Sequence, residues 1–123
     1  MAEDKRIIGW LVDQEQRVEL LLQFPPRYEA TVADHVTLES GTDAPLPEAA
    51  IGEIIGRADD GEGVEALVVS IGGSTDRPGG GTYHITWSLA EGRKARESND
   101  VIDKEGWADL DLPVPVTLHP AEF

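Results

Sequence analysis

Glycine and proline interrupt this chain so often that only one clear helix fits between the breaks. Pro25-Pro26 end one apolar stretch, Gly41, Pro45 and Pro47 fall in a second interruption, and Asp59-Asp60-Gly61-Glu62-Gly63 reads as a turn. Gly72–Gly81 holds five glycines and one proline in ten residues, and Glu91-Gly92 follows soon after. Proline has no amide to donate to a helix or a sheet ladder, and glycine loses the most backbone freedom on being ordered. The apolar runs left between these breaks have the length of strands.

Ile7–Val12, with Trp10 inside it, is expected to be a strand. Asp13 then caps a helix, Gln16 completes a capping-box spacing, and Val18, Leu21 and Leu22 recur at helical intervals until Pro25. Tyr28–Glu39 is expected as one extended strand, Ser40–Pro47 as loop, and Ala49–Arg57 and Val64–Ile71 as the arms of a hairpin. Thr82–Leu89 is a further strand, and Ser98 is a candidate cap for a short helix through Val101-Ile102. Pro113–His119 reads as a final edge strand, because its prolines cannot donate to a central ladder. This order predicts an α+β fold: a mostly antiparallel sheet, one or two helices packed on one face, and an open concave face opposite. Residues 1–123 are read as a single domain.

The chain carries 24 Asp and Glu against 10 Lys and Arg, a net charge of −14. Such a surface repels a polyanion, so broad binding to duplex nucleic acid is not expected. No apolar run reaches the length of a membrane span, and Met1–Arg6 lacks the apolar stretch of a secretion signal. A cytoplasmic protein, monomeric and without a membrane partner, is expected. There is no cysteine, which excludes disulfides, thiolate zinc sites and a cysteine nucleophile.

Two stretches repeat one pattern: His35-Val36-Thr37-Leu38 and His84-Ile85-Thr86-Trp87. Two of the chain's three histidines sit in this setting. Successive strand side chains point to opposite faces, so each histidine shares a face with its threonine, about 7 Å along the strand. Side by side, the two strands present two imidazoles and two hydroxyls to one pocket on the open face. That set suits acid–base chemistry on a phosphate ester.

These residues carry a resemblance. Val32–Leu38 and Gly81–Leu89 resemble the two signature motifs of the two-histidine (2H) phosphoesterase superfamily. Arg96-Glu97-Ser98-Asn99-Asp100-Val101-Ile102 is similar to its small bacterial and phage members, the "Swiss army knife" domains of RNA repair systems. The likeness runs from the first strand through about Ile102. It implies a hydrolase that opens a cyclic phosphodiester, commonly the 2′,3′-cyclic phosphate of an RNA end or a nucleotide, with no metal and no cofactor. It implies that one of His35 and His84 activates water as base and the other protonates the leaving ribose oxygen as acid; His84 as base and His35 as acid is the favoured of the two assignments. It also implies that Thr37 and Thr86 hydrogen-bond the non-bridging phosphate oxygens, where charge builds in the transition state.

Four further residues are candidates for binding substrate. Ser88 continues the face of the second motif. Arg77 lies in the glycine-rich segment, which reads first as a mobile connector; in the alternative reading, a lid, it closes over a ligand with Ser74 and Thr75. Arg93 and Lys94, with Arg96, make the one dense cationic cluster. The glycine-rich segment lacks the phosphate-loop pattern and precedes a strand instead of opening a helix. His119 reverses the order of Thr and His and is read as a surface residue. A metal held by two histidines and Asp34 is the rival chemistry, but Asp34 on a regular strand points away from His35. The alternative from another class is a non-catalytic module that binds a nucleotide or phosphorylated ligand.

Overall fold

A computed structural model describes residues 6–123. The apolar runs form β1 (Arg6–Val12), α1 (Gln14–Gln23), β2 (Ala30–Thr31), β3 (His35–Thr42), β4 (Ala50–Asp59), β5 (Val64–Ser70), β6 (His84–Leu89), α2 (Glu97–Glu105) and β7 (Ala108–Glu122). Every pairing is antiparallel. The order runs β6–β3–β1–β7–β4–β5, and β5 pairs back onto β6. The sheet therefore closes into a six-stranded barrel, with β2 added beside β6. The α+β class, the antiparallel sheet and two helices agree with the sequence reading. The open concave face does not, because closure turns one sheet face into a filled interior.

Alternation along each strand fills that interior. Trp10, Val36, Leu67, Ile85, Trp87 and Leu118 are buried together there. Each such side chain stabilises the fold by roughly 1.5–3 kcal/mol. The Trp87 indole N–H donates to the Phe24 carbonyl at 2.7 Å, which ties the end of α1 to β6. β5 is buried on both faces, which explains its unbroken apolar run. Its Ala66 and Val68 point outward, into a second cluster with Val101 and Ile102 of α2.

β7 corrects the expected edge strand. It is 15 residues long and pairs with β4 on one side and β1 on the other. Its prolines still obey the donor rule. Pairing with β1 ends at Val12 opposite Leu118, so Pro113 and Pro115 lie beyond the reach of β1. There the side-chain amide of Gln16 stands in for a strand, accepting from the Thr117 N–H and donating to the Pro115 carbonyl, both at 2.6 Å. Asp13 caps α1 by accepting from the Gln16 N–H at 3.1 Å. The return half of the capping box is missing because Gln16 is occupied by β7.

Three further segments differ from expectation. The strand read over Tyr28–Glu39 is split, and β3 runs on to Thr42 through residues assigned to loop. Gly72–Gly81 is a folded extension of the β5–β6 connection, not an open lid. Ile71 bridges Ser74, Asp76 bridges Thr82, and the Arg77 N–H donates to the Gly81 carbonyl at 3.0 Å. Ser98 is the second residue of α2 and not its cap; Arg96 occupies the cap position without a side-chain hydrogen bond. Among the described residues no helix is long and apolar enough to cross a membrane.

Candidate active site

A dislocation between β2 and β3 decides where His35 goes. Thr31 is in register with Ser88 and Val36 with Ile85, so four residues on one strand face two on the other. Ala33 takes up the excess with φ of 46°, a left-handed conformation that costs a non-glycine residue on the order of 1 kcal/mol. It is held there by its own N–H, which donates to the Thr86 carbonyl at 2.9 Å, and by Arg17, whose Nε donates to its carbonyl at 2.7 Å. The consequence overturns the strand-based reading of Asp34. Its carboxylate turns back and lies 3.0 Å from His35 Nδ1.

His35 and Thr37 from β3, His84 from β6 and Arg77 line one pocket of about 300 Å³. Arg96 and Asn99, at the start of α2, close another side, and Ile7 and Phe123 give it an apolar wall. The pocket sits on the outside of the barrel, because Val36 and Ile85 point in and the motif histidines therefore point out. The Phe123 ring tilts over His35 with centroids 4.2 Å apart. The Thr37 hydroxyl makes no hydrogen bond to a described residue.

The two imidazoles differ in setting. His84 Nδ1 lies 2.8 Å from the Thr82 carbonyl. A carbonyl only accepts, so Nδ1 carries the proton and Nε2 keeps its lone pair. Burial pushes the His84 pKa below the usual histidine value, and the charges of Arg77 and His35 push the same way against the Thr82 carbonyl. Burial thus favours neutral His84, with the Nε2 lone pair unprotonated. His35, 29% exposed, has an anionic partner instead. The two rings thus differ in burial and in the partner of Nδ1.

Other expected site residues lie elsewhere. Thr86 faces out of the barrel, yet its hydroxyl is taken: it lies 2.9 Å from Ser98 Oγ and donates to the Ala95 carbonyl at 3.3 Å. It docks α2 and does not line the pocket. Ser88 does not share the face of His84. Glu65 stands opposite Ser88 and Ala66 opposite Thr86, so one residue of β6 bulges and the alternation slips. Ser88 is fully buried and donates to the Glu65 carboxylate at 2.6 Å, beside Arg57 Nη2 at 2.8 Å. Arg93 is consumed by ion pairs at 2.9 Å with both Asp60 and Glu97. Lys94 is exposed and outside the pocket.

Asp34, Arg96 and Asn99 are the site residues that sequence reasoning missed. In the sequence Arg96 reads only as a member of the cationic cluster, behind Arg93 and Lys94, and Asn99, in the Arg96–Ile102 stretch, carries no role. Among the described residues no group of three or more His, Asp or Glu is placed to hold a metal ion. Comparison with protein-family models, with curated proteins and with solved structures finds no match.

Proposed function

We propose that this pocket opens a cyclic phosphodiester by paired-histidine acid–base catalysis, without a metal ion. One observation carries the reading: two imidazoles, a free hydroxyl and two guanidiniums line a single pocket in a chain of net charge −14. The likeness of both histidine motifs to the 2H phosphoesterases supports the same chemistry. His84 Nε2 takes a proton from water as the oxygen attacks phosphorus. The phosphorus–oxygen bond to the ribose breaks, and His35 Nε2 delivers its proton to the leaving oxygen. Thr37 and Arg77 stabilise the charge that builds on the non-bridging oxygens. Asp34 positions His35 through Nδ1. Thr86 acts indirectly, by holding residues 95–99 against the pocket. Each acid or base role contributes roughly 10²–10⁴-fold.

The test is turnover of nucleoside 2′,3′-cyclic phosphates, and of short RNAs ending in one, with and without a chelator. The expected result is chelator-insensitive hydrolysis that falls at least about 100-fold in His35→Ala and in His84→Ala. Absence of turnover on every substrate, or variants as active as the wild type, would sink the proposal. The occupied hydroxyl of Thr86 favours a second reading, a module that binds a phosphorylated ligand without converting it. Calorimetry separates the two: in that case nucleotide binds, no product forms, and the histidine variants keep their affinity.

A further inference from the structure

We infer that the pocket takes an RNA end that carries a phosphate on the 5′ side of its terminal nucleoside, with Arg96 as partner of that second phosphate. A free cyclic mononucleotide is the poorer substrate. The inference rests on the phosphodiesterase reading above and names the substrate within it.

The distribution of arginines supports it. The chain has seven. Arg6 pairs with Glu122, Arg27 with Asp59, Arg57 with Glu65, and Arg93 with Asp60 and Glu97. Arg17 is spent on the carbonyls of Ala33 and Val32. Arg77 and Arg96 remain, with no carboxylate partner among the described residues, and both line the histidine pocket. In a chain so rich in carboxylates, two unneutralised guanidiniums at one pocket mark a place for anionic ligand charge. A cyclic phosphodiester carries one negative charge, and one guanidinium matches it. The other matches a second phosphate.

Geometry separates the two roles. Arg77 is half-buried, held by the Gly80 carbonyl at 3.0 Å, and near enough to His84 for its charge to disfavour the protonated ring. It belongs to the reacting phosphate. Arg96 is exposed at the start of α2, beside Asn99. From there it meets the strand as it leaves the pocket.

The experiment compares kcat/KM for uridine 2′,3′-cyclic phosphate, for the diuridine ending in the same cyclic phosphate, and for that dinucleotide with a neutral methylphosphonate linkage. The wild type should favour the charged dinucleotide over the other two by about tenfold or more, the size of one charge-assisted contact. Arg96→Gln should bring the ratio of charged dinucleotide to mononucleotide towards one, mainly through KM, and Arg96→Lys should restore part of it. Equal turnover of mono- and dinucleotide overturns the inference and leaves the phosphodiesterase reading intact. So does an advantage that survives the neutral linkage, which would assign it to the extra base, or one that survives Arg96→Gln. No turnover of any of the three overturns both.

Discussion

At Ala33 one left-handed φ of 46° turns a neighbouring carboxylate towards His35 instead of away from it. The motif residues themselves were legible: His35, Thr37 and His84 line one pocket, as strand alternation requires. Asp34 was not, because alternation holds only in a regular strand. Asp34→Asn keeps an acceptor for Nδ1 but removes the carboxylate charge beside the ring. It should lower kcat by about tenfold with little change in KM; an unchanged kcat would leave Asp34 with no part in the reaction. His84 also links pH to stability. Its folded pKa is lowered, so the unfolded chain binds the proton more readily. Stability on this account is full above the unfolded value of about 6.5 and declines as pH falls through it towards the folded value. His84→Gln should flatten the dependence of the urea midpoint between about pH 5 and 7.

Elements place these residues, and their legibility varied with how local their causes are. The start of α1 was written in Asp13 and its end in Pro25, both within one turn of the helix. β5 announced itself through Leu67-Val68-Val69, since a strand buried on both faces is apolar throughout. β7 misled because proline penalises a ladder only where a partner needs its donor, and the end of β1 at Val12 is a fact about another strand. Ser88 misled because the β6 bulge depends on its pairing with β5. The approach of β1 to β3 shows the same dependence. A Cβ on Gly9 would fall on the backbone carbonyl of Val36 and crowd the Leu38 amide. Neither can yield without moving β3, which carries His35 and Thr37. Gly9→Ala should cost about 1–3 kcal/mol in urea denaturation and lower the proposed activity as well. A fully stable, fully active variant would show that β3 absorbs the methyl group without shifting the site.

The whole molecule is a closed barrel with a strongly negative charge. Closure hides sheet edges that would otherwise invite pairing between chains. It also moves the candidate site from a concave sheet face to the barrel's outer wall, where α2 and the glycine-rich extension build the pocket walls. With 24 acidic residues against 10 basic ones, folding crowds like charge together. Raising salt from about 0.01 M to about 0.5 M shortens the screening length and should raise the thermal midpoint. The same salt should weaken binding of an anionic ligand at Arg77 and Arg96. A midpoint that falls with salt would mean that the ion pairs of Arg27, Arg57 and Arg93 outweigh the repulsion.

The sequence by itself determined the apolar runs and their breaks, the α+β class, the cap of α1 and the alternation that sets each motif histidine on the face opposite its apolar neighbour. These depend on backbone chemistry and on alternation, which act over a few residues. Only the tertiary structure decided that the sheet closes, that Asp34 reaches His35, that Ser98 occupies the Thr86 hydroxyl, and that Arg96 rather than Arg93 borders the pocket. Each of those is a contact between segments far apart in the chain or a shift of register between strands, and neither leaves a local mark. Arg93 and Arg96 are three positions apart in one cationic cluster. What separates them is where the carboxylates of Asp60 and Glu97 lie once β4, β5 and α2 have packed.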